Sequence, residues 1–257
     1  MLKKSAFIAA AMVGAYTVPV QAQTCTGNCG TASPNGVVTS PPAYGPSYSY
    51  VSTVGGVVGA GQIEGVAGGT SGSQLVTSSF NASAGDSLSF FFNYVTSDGA
   101  DFSDYAFAEL LSDASHVAWL FTARTTTSGN PTPGFGLPAN DSILTPSSTP
   151  IISGAPVWDQ LGASSGDCFG AGCGYTGWIG SNYTIAADGT YQLRFGVTNI
   201  GDLDLDSGLA FAGVTVNDVP VGSVPEPATW AMMLAGFGMI GLTVRRRQNV
   251  KTRVTYA

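Results

Sequence analysis

Apolar and polar residues alternate along several short stretches of the chain, a pattern typical of β-strands. In Ser87–Val95 large apolar residues occupy every second position, and Phe91 adds one on the opposite side, which indicates a strand buried on both faces. Alternation and turn residues together predict strands at Ser49–Val58, Leu75–Phe80, Ser87–Val95, Tyr105–Leu111, Val117–Ala123, Asn182–Ala186, Thr190–Thr198 and Leu209–Val216.

Outside the two ends of the chain, no long stretch has helical periodicity. Seven to nine short strands predict an all-β fold, an antiparallel β-sandwich or jelly roll, over residues 61–219. The Asp188-Gly189 pair predicts a hairpin between the two strands that flank it. Residues 23–60 are rich in Gly, Ser and Pro and are predicted to be an extended lead-in with at most one edge strand.

The first 22 residues have the features of a secretory signal peptide. Lys3 and Lys4 precede an apolar stretch of about ten residues. Val20-Gln21-Ala22 then supplies small residues at the positions that a signal peptidase reads. The apolar stretch is too short to span a bilayer, so we expect cleavage after Ala22 and export of the rest.

Residues 220–257 combine three features in a fixed order. Pro225-Glu226-Pro227 comes first, an uncharged apolar run fills residues 228–244, and Arg245, Arg246 and Arg247 follow. The run is long enough for a transmembrane helix at about 228–244. The arginines predict that the basic tail, 245–257, stays in the cytoplasm while the body lies outside.

This arrangement closely resembles the PEP-CTERM sorting signal of Gram-negative bacteria. The matching residues are Pro225-Glu226-Pro227, Trp230, Met232-Met233, Gly236-Phe237-Gly238, Gly241 and the arginine cluster. The resemblance implies an exosortase-type membrane peptidase as partner. It also implies an inner-membrane intermediate, removal of the tail, and delivery to the cell surface or an exopolysaccharide matrix such as a biofilm.

Charge is sparse and unevenly placed. Only 10% of the 257 residues are charged, against about 25% in an average globular protein. Between residues 5 and 244 the only cations are Arg124 and Arg194, while all 16 acids lie there. Such an acidic body repels phosphate backbones, so the sequence argues against nucleic-acid binding.

The four cysteines form two local pairs, Cys25 with Cys29 and Cys168 with Cys173. In an exported chain an even number of cysteines favours disulfides, and three connectivities are possible. Local pairing is the favoured prediction, with a four-thiolate zinc site as the alternative.

Two acid-rich loops follow predicted strands, at Ser97–Tyr105 and Asn199–Ser207. Calcium binds six to eight oxygen ligands, and glycine-containing loops can turn backbone carbonyls inward. A structural calcium is therefore one prediction, and acids that merely solubilise turns are the other. The candidate ligands are Asp98, Asp101, Asp104, Asp202, Asp204 and Asp206.

Exposed aromatic rings stack on sugars, so tryptophans in loops are candidate ligand residues. Trp158 and Trp178 lie in loop-like surroundings, whereas Trp119 lies in a predicted strand and is expected in the core. The predicted strands also resemble secreted jelly-roll domains that precede PEP-CTERM signals, some of which are carbohydrate-binding modules. The resembling segments are Gly85–Phe90, Ser103–Ala108 and Asp206–Phe211.

The sequence offers little for catalysis. Gly162–Gly166 fits a nucleophile-elbow pattern, but the single histidine, His116, precedes Ser164 in the chain. We therefore predict a non-catalytic, exported cell-surface or extracellular-matrix protein. The alternative is a carbohydrate-binding module, with or without calcium, and a third hypothesis is a carboxylate-based hydrolase. No cofactor other than this calcium is predicted.

Overall fold

The computed structural model describes residues 23–42, 45–221 and 255, and it divides the chain into two units, Met1–Val221 and Gly222–Ala257. The predicted signal peptide and the predicted transmembrane span at about 228–244 lie outside the described residues. Within those residues, no helix is long and apolar enough to cross a membrane.

The described residues form β-strands with two short 3-10 helices, Ala100–Phe102 and Asp159–Ser164. The strands, numbered in chain order, are β1 (Thr24–Thr26), β2 (Asn28–Ala32), β3 (Tyr48–Ser52), β4 (Val57–Val58), β5 (Gly69–Val76), β6 (Phe80–Ala82), β7 (Ser87–Thr96), β8 (Tyr105–Ser112), β9 (Ser115–Arg124), β10 (Ile143–Thr145), β11 (Ile152–Ser153), β12 (Gly174–Tyr175), β13 (Ile179–Thr184), β14 (Gly189–Ile200), β15 (Ser207–Val216) and β16 (Val219–Pro220).

These strands pair into two antiparallel sheets. The first has the order β1-β5-β14-β8-β9, with β4 paired to β5 and β6 paired to β14. The second has the order β10-β13-β7-β15-β3-β2, with β12 joining β11 to β7 and β16 paired to β15. The all-β prediction is confirmed, and the jelly-roll assignment stays a prediction.

The alternating apolar residues of the long strands meet between the sheets. Phe92 of β7 stacks on Phe121 of β9 with ring centroids 3.7 Å apart, and Phe195 of β14 stacks on Phe211 of β15 at 3.8 Å. Each pair joins one sheet to the other, and all four rings are buried. Burying such a ring contributes about 1.5–3 kcal/mol, so these pairs are a main source of sheet-to-sheet attachment.

The hairpin predicted at Asp188-Gly189 is wrong. The strands on either side of this pair, β13 and β14, belong to different sheets. Gly189 does not adopt the positive φ that a tight two-residue hairpin needs; it is already part of β14 and pairs with Ala82. Asp188 accepts a hydrogen bond from the Ala84 backbone at 2.8 Å, so its side chain stabilises a connection between sheets.

Tight hairpins occur instead where the sequence lacks the usual Asn-Gly or Asp-Gly signal. Asp113 and Ala114 have φ values of 49° and 61° and join β8 to β9. Asn217 and Asp218 have φ values of 48° and 63° and join β15 to β16. Two successive positive φ values are the conformation of a type I′ turn, which the right-handed twist of paired strands favours.

The region predicted as a lead-in is part of the sandwich, so the expectation of at most one edge strand there is wrong. β1 pairs with β5 in the first sheet, and β2 pairs with β3 in the second. Gly27 makes the crossing with φ +85°, and a side chain there would clash with Ser73. The Cys25–Cys29 disulfide closes this crossing, as local pairing predicted.

Candidate functional sites

One candidate site is a small cavity, here called the acidic pocket, at the loops that follow β7 and β14. Its volume is about 120 Å³. Three of the six predicted calcium ligands line it together with three apolar side chains: Asp98, Asp202, Asp204, Phe102, Phe169 and Leu205. The acidic loops, although about a hundred residues apart in sequence, are therefore neighbours in the fold.

Asp98 is the buried carboxylate of this pocket. Its residue is 2% exposed, and the adjacent Gly99 N–H donates to its Oδ1 at 2.9 Å. Burial raises the pKa of Asp98 to about 6, and the negative charges of Asp202 and Asp204 act in the same direction, against the lowering effect of the Gly99 bond. The pocket therefore concentrates negative charge around a poorly solvated carboxylate.

The other three candidate ligands lie elsewhere or have internal partners. Asp104 is fully buried and accepts hydrogen bonds from the Ser207 hydroxyl at 2.7 Å and the Ile200 N–H at 2.8 Å. Burial raises the pKa of Asp104 well above its ordinary value. Asp206 accepts bonds from Thr53 and Ser164.

Asp101 is exposed on the first 3-10 helix. In residues 23–42 and 45–221, no cluster of three or more His, Cys, Asp or Glu side chains is placed to hold a metal ion. Calcium binding stays a prediction.

A disulfide closes the loop that carries one wall of the acidic pocket. Cys168 and Cys173 are bonded, as local pairing predicted, and Phe169 lies between them. The Phe169 N–H donates to the Ser97 carbonyl at 3.0 Å, and its ring packs edge-on against Phe102 with centroids 5.4 Å apart. The bridge and the hydrogen bond together restrict the position of this wall.

The tryptophans predicted as sugar-binding residues have structural partners. Trp158 is fully buried and donates from Nε1 to the Tyr48 hydroxyl at 2.8 Å, so the expectation of an accessible ring is wrong. Its loop folds over β3, so the ring lies in a second, smaller buried cluster together with Val38 and Leu161. Trp178 is half-buried; its Nε1 donates to the Thr39 carbonyl at 3.0 Å and its ring packs against Tyr48.

A second candidate site, which the sequence reasoning missed, lies on the outer face of the first sheet. Glu109 of β8 is 3% exposed and lies opposite Arg194 of β14 in the strand register. The two side chains form an ion pair between Oε2 and Nη2. His116 of β9 approaches the other carboxylate oxygen of Glu109 at 2.7 Å through Nδ1. We call these three residues the charge cluster.

Aromatic rings adjoin the charge cluster. Trp119 lies in β9 and is half-buried, with its ring 4.7 Å from His116 and edge-on to Phe107 at 5.6 Å. The Arg194 guanidinium lies 5.4 Å from the Phe107 ring. Trp119, expected in the core, is half-buried and packs against a small buried cluster that includes Tyr105 and Phe107, not in the space between the sheets.

A groove of about 280 Å³ lies on the same face. Its lining mixes amide, hydroxyl and apolar side chains with the arginine: Thr24, Gln74, Val76, Leu111, Ala114, Gln192 and Arg194. Gln192 and Arg194 are two positions apart in β14, so strand alternation places them on one side of that strand. The sequence does contain a signal for the charge cluster. Arg194 is one of only two cations between residues 5 and 244, and it lies in mid-strand, where a partly buried guanidinium needs a carboxylate partner.

Comparison with known families adds one match. Residues 223–247 match the model of the PEP-CTERM protein-sorting motif. The chain carries a PEP-CTERM sorting motif. No curated protein and no solved structure matches the chain significantly.

The PEP-CTERM match covers the tail and neither candidate site. It includes Pro225, Glu226 and Pro227 and the arginines Arg245, Arg246 and Arg247, all outside the described residues. A PEP-CTERM motif implies an exported protein that is handled at the membrane and processed by an exosortase. The β-domain therefore reaches an extracytoplasmic compartment, where disulfides are stable.

Proposed function

We propose that this chain is a non-catalytic protein of the cell surface or extracellular matrix, displayed after exosortase processing at its PEP-CTERM motif. The observation that carries the proposal is the motif at residues 223–247, which directly follows a disulfide-bonded all-β domain.

Replacing Glu226 tests the sorting part of the proposal. We expect Glu226→Ala to keep the chain at its unprocessed mass in the membrane fraction, whereas the wild type is shortened and released to the surface or medium. Glu64→Ala is the matched control, since Glu64 is an exposed glutamate outside the motif. Unchanged processing and release of Glu226→Ala contradict the proposal.

A second function, carbohydrate binding, is supported by the outer face of the first sheet. Sugar recognition combines an aromatic ring that packs on the apolar face of the pyranose with polar groups that bond to its hydroxyls. Gln192 and Arg194 line the groove, and Trp119 supplies the ring next to His116 of the charge cluster. We propose this face, in place of the Trp158 loop, as the glycan-binding surface.

A glycan array with the full-length protein in detergent tests this second function, with and without calcium. We expect Trp119→Ala to abolish binding of any glycan that the wild type retains, and Trp178→Ala to leave it unchanged. Equal loss in the two variants, or no glycan bound by the wild type, contradicts the proposed surface. Hydrolysis of a bound glycan replaces the non-catalytic assignment with a hydrolase.

A further inference from the structure

The acidic pocket has apolar walls as well as acids. Phe102 and Phe169 pack edge-on, and Leu205 completes the apolar part of the lining. Phe169 is 60% exposed, so its ring is accessible to a ligand. The cavity therefore offers a carboxylate-rich interior and an aromatic rim at the same place.

The charge of the pocket is not balanced by the fold. Arg124 donates from Nε to the Ser103 carbonyl at 2.8 Å, and Arg194 is paired with Glu109, so the two cations between residues 5 and 244 have other partners. Among the described residues, Asp98 receives a hydrogen bond on Oδ1 alone, and its Oδ2 has none although the residue is 98% buried. A buried carboxylate without a cation is costly, and a cationic ligand relieves that cost.

We propose that the acidic pocket binds a protonated primary amine on an apolar stem, such as a lysine side chain, with the ammonium group at Asp98 and the stem against Phe169. An ammonium group donates hydrogen bonds that carboxylate oxygens accept, and Asp98, Asp202 and Asp204 all line the pocket. Aromatic faces attract cations, and the alkyl stem of a lysine packs on apolar surface. This inference is independent of the sorting and glycan proposals.

The composition of the lining favours an alkylammonium over a hydrated metal ion. Calcium takes six to eight oxygen ligands, whereas half of the side chains that line this pocket are hydrocarbon. A cavity of about 120 Å³ accommodates an ammonium group and a short alkyl chain. With an alkylammonium bound, the two aromatic rings contact its alkyl stem. With calcium bound, the same rings supply no oxygen ligands.

An NMR saturation-transfer titration of the full-length protein in detergent tests the proposal, at neutral pH and low salt. The probe is n-butylammonium chloride, with 1-pentanol as the uncharged analogue. We expect saturable binding with a Kd on the order of millimolar for the amine and none for the alcohol. A second arm with the tripeptide Gly-Lys-Gly distinguishes a peptide-borne lysine from a free amine, and binding of either one supports the proposal.

Two variants assign the binding to this pocket. We expect Asp98→Asn, which keeps the acceptor for the Gly99 N–H, to weaken amine binding by about tenfold or more. Asp159→Asn is the matched control, since Asp159 is exposed and outside the pocket, and we expect unchanged binding. Circular dichroism verifies that both variants are folded.

Several results overturn the proposal. These are absence of saturable amine binding, equal affinity for 1-pentanol, unchanged affinity in Asp98→Asn, and displacement of the amine by equimolar calcium.

Discussion

Two buried carboxylates of this protein have opposite surroundings. Glu109 and Asp98 are 3% and 2% exposed, respectively. Glu109 lies in mid-strand beside Arg194 of the neighbouring strand, so the sheet itself supplies the compensating charge. Asp98 lies in a loop beside Asp202 and Asp204, which add negative charge. The negative charge of Glu109 is therefore balanced within the fold. That of Asp98 is not, which is why we propose a cationic ligand for it.

Removing Glu109 is expected to have the largest effect on stability. Glu109→Gln leaves the guanidinium of Arg194, which is 25% exposed, without its anionic partner. We expect the free energy of unfolding to fall by about 3 kcal/mol, as for a broken buried ion pair. Urea unfolding followed by tryptophan fluorescence measures it, with Glu64→Gln as an exposed control. Equal stability of the two variants contradicts the description of Glu109 as compensated by Arg194.

Removing the charge of Asp98 is expected to raise the free energy of unfolding, the opposite of the change expected for Glu109→Gln. Asp98→Asn keeps an acceptor for the Gly99 N–H and removes an uncompensated negative charge. We expect the free energy of unfolding at about pH 7 to rise by about 1–2 kcal/mol. The same urea experiment measures this difference. Destabilisation of the variant indicates that Asp98 has a stabilising partner, which removes the contrast with Glu109.

The smallest expected effect is that of His116. Its side chain is 44% exposed, so solvent screens its interaction with Glu109. We expect His116→Ala to lower the free energy of unfolding by about 0.5 kcal/mol. A loss as large as that of Glu109→Gln shows that His116, and not Arg194, is the main partner of Glu109.

Much of the fold was predictable from alternation, because strands such as β7, β14 and β15 bury every second residue between two sheets. The sheet to which each strand belongs was not predictable, because local sequence does not state its pairing partner. Asp188-Gly189 has the composition of a hairpin, yet Gly189 adopts no positive φ and the chain crosses between sheets there. Asp113 and Ala114 form a tight hairpin without the usual glycine.

The candidate sites were predictable in part. Acids in two loops were predicted as candidate calcium ligands, and three of them line one cavity. Asp104 and Asp206 have the same residue type but accept internal hydrogen bonds, which depend on contacts distant in sequence. Trp158 is buried because its loop folds back over β3. Loop composition indicates neither outcome.

The pH dependence of stability tests the central contrast most directly. The pKa of Asp98 is raised from about 3.8 to about 6 on folding, so the folded state binds the proton more tightly. The stability that this group contributes is therefore present at low pH and lost as the pH rises through about 6. The pKa of Asp104 is also raised, so its ionisation also lowers the free energy of unfolding as the pH rises. This decrease is the same in the wild type and in Asp98→Asn.

The measurement is the free energy of unfolding of wild type and Asp98→Asn between about pH 4 and about pH 7. We predict that the two nearly coincide at the acidic end and that the variant becomes more stable by about 1–2 kcal/mol as the pH passes through about 6. A difference that is constant with pH, or that favours the wild type above about pH 6, contradicts the account of Asp98 as an uncompensated buried charge.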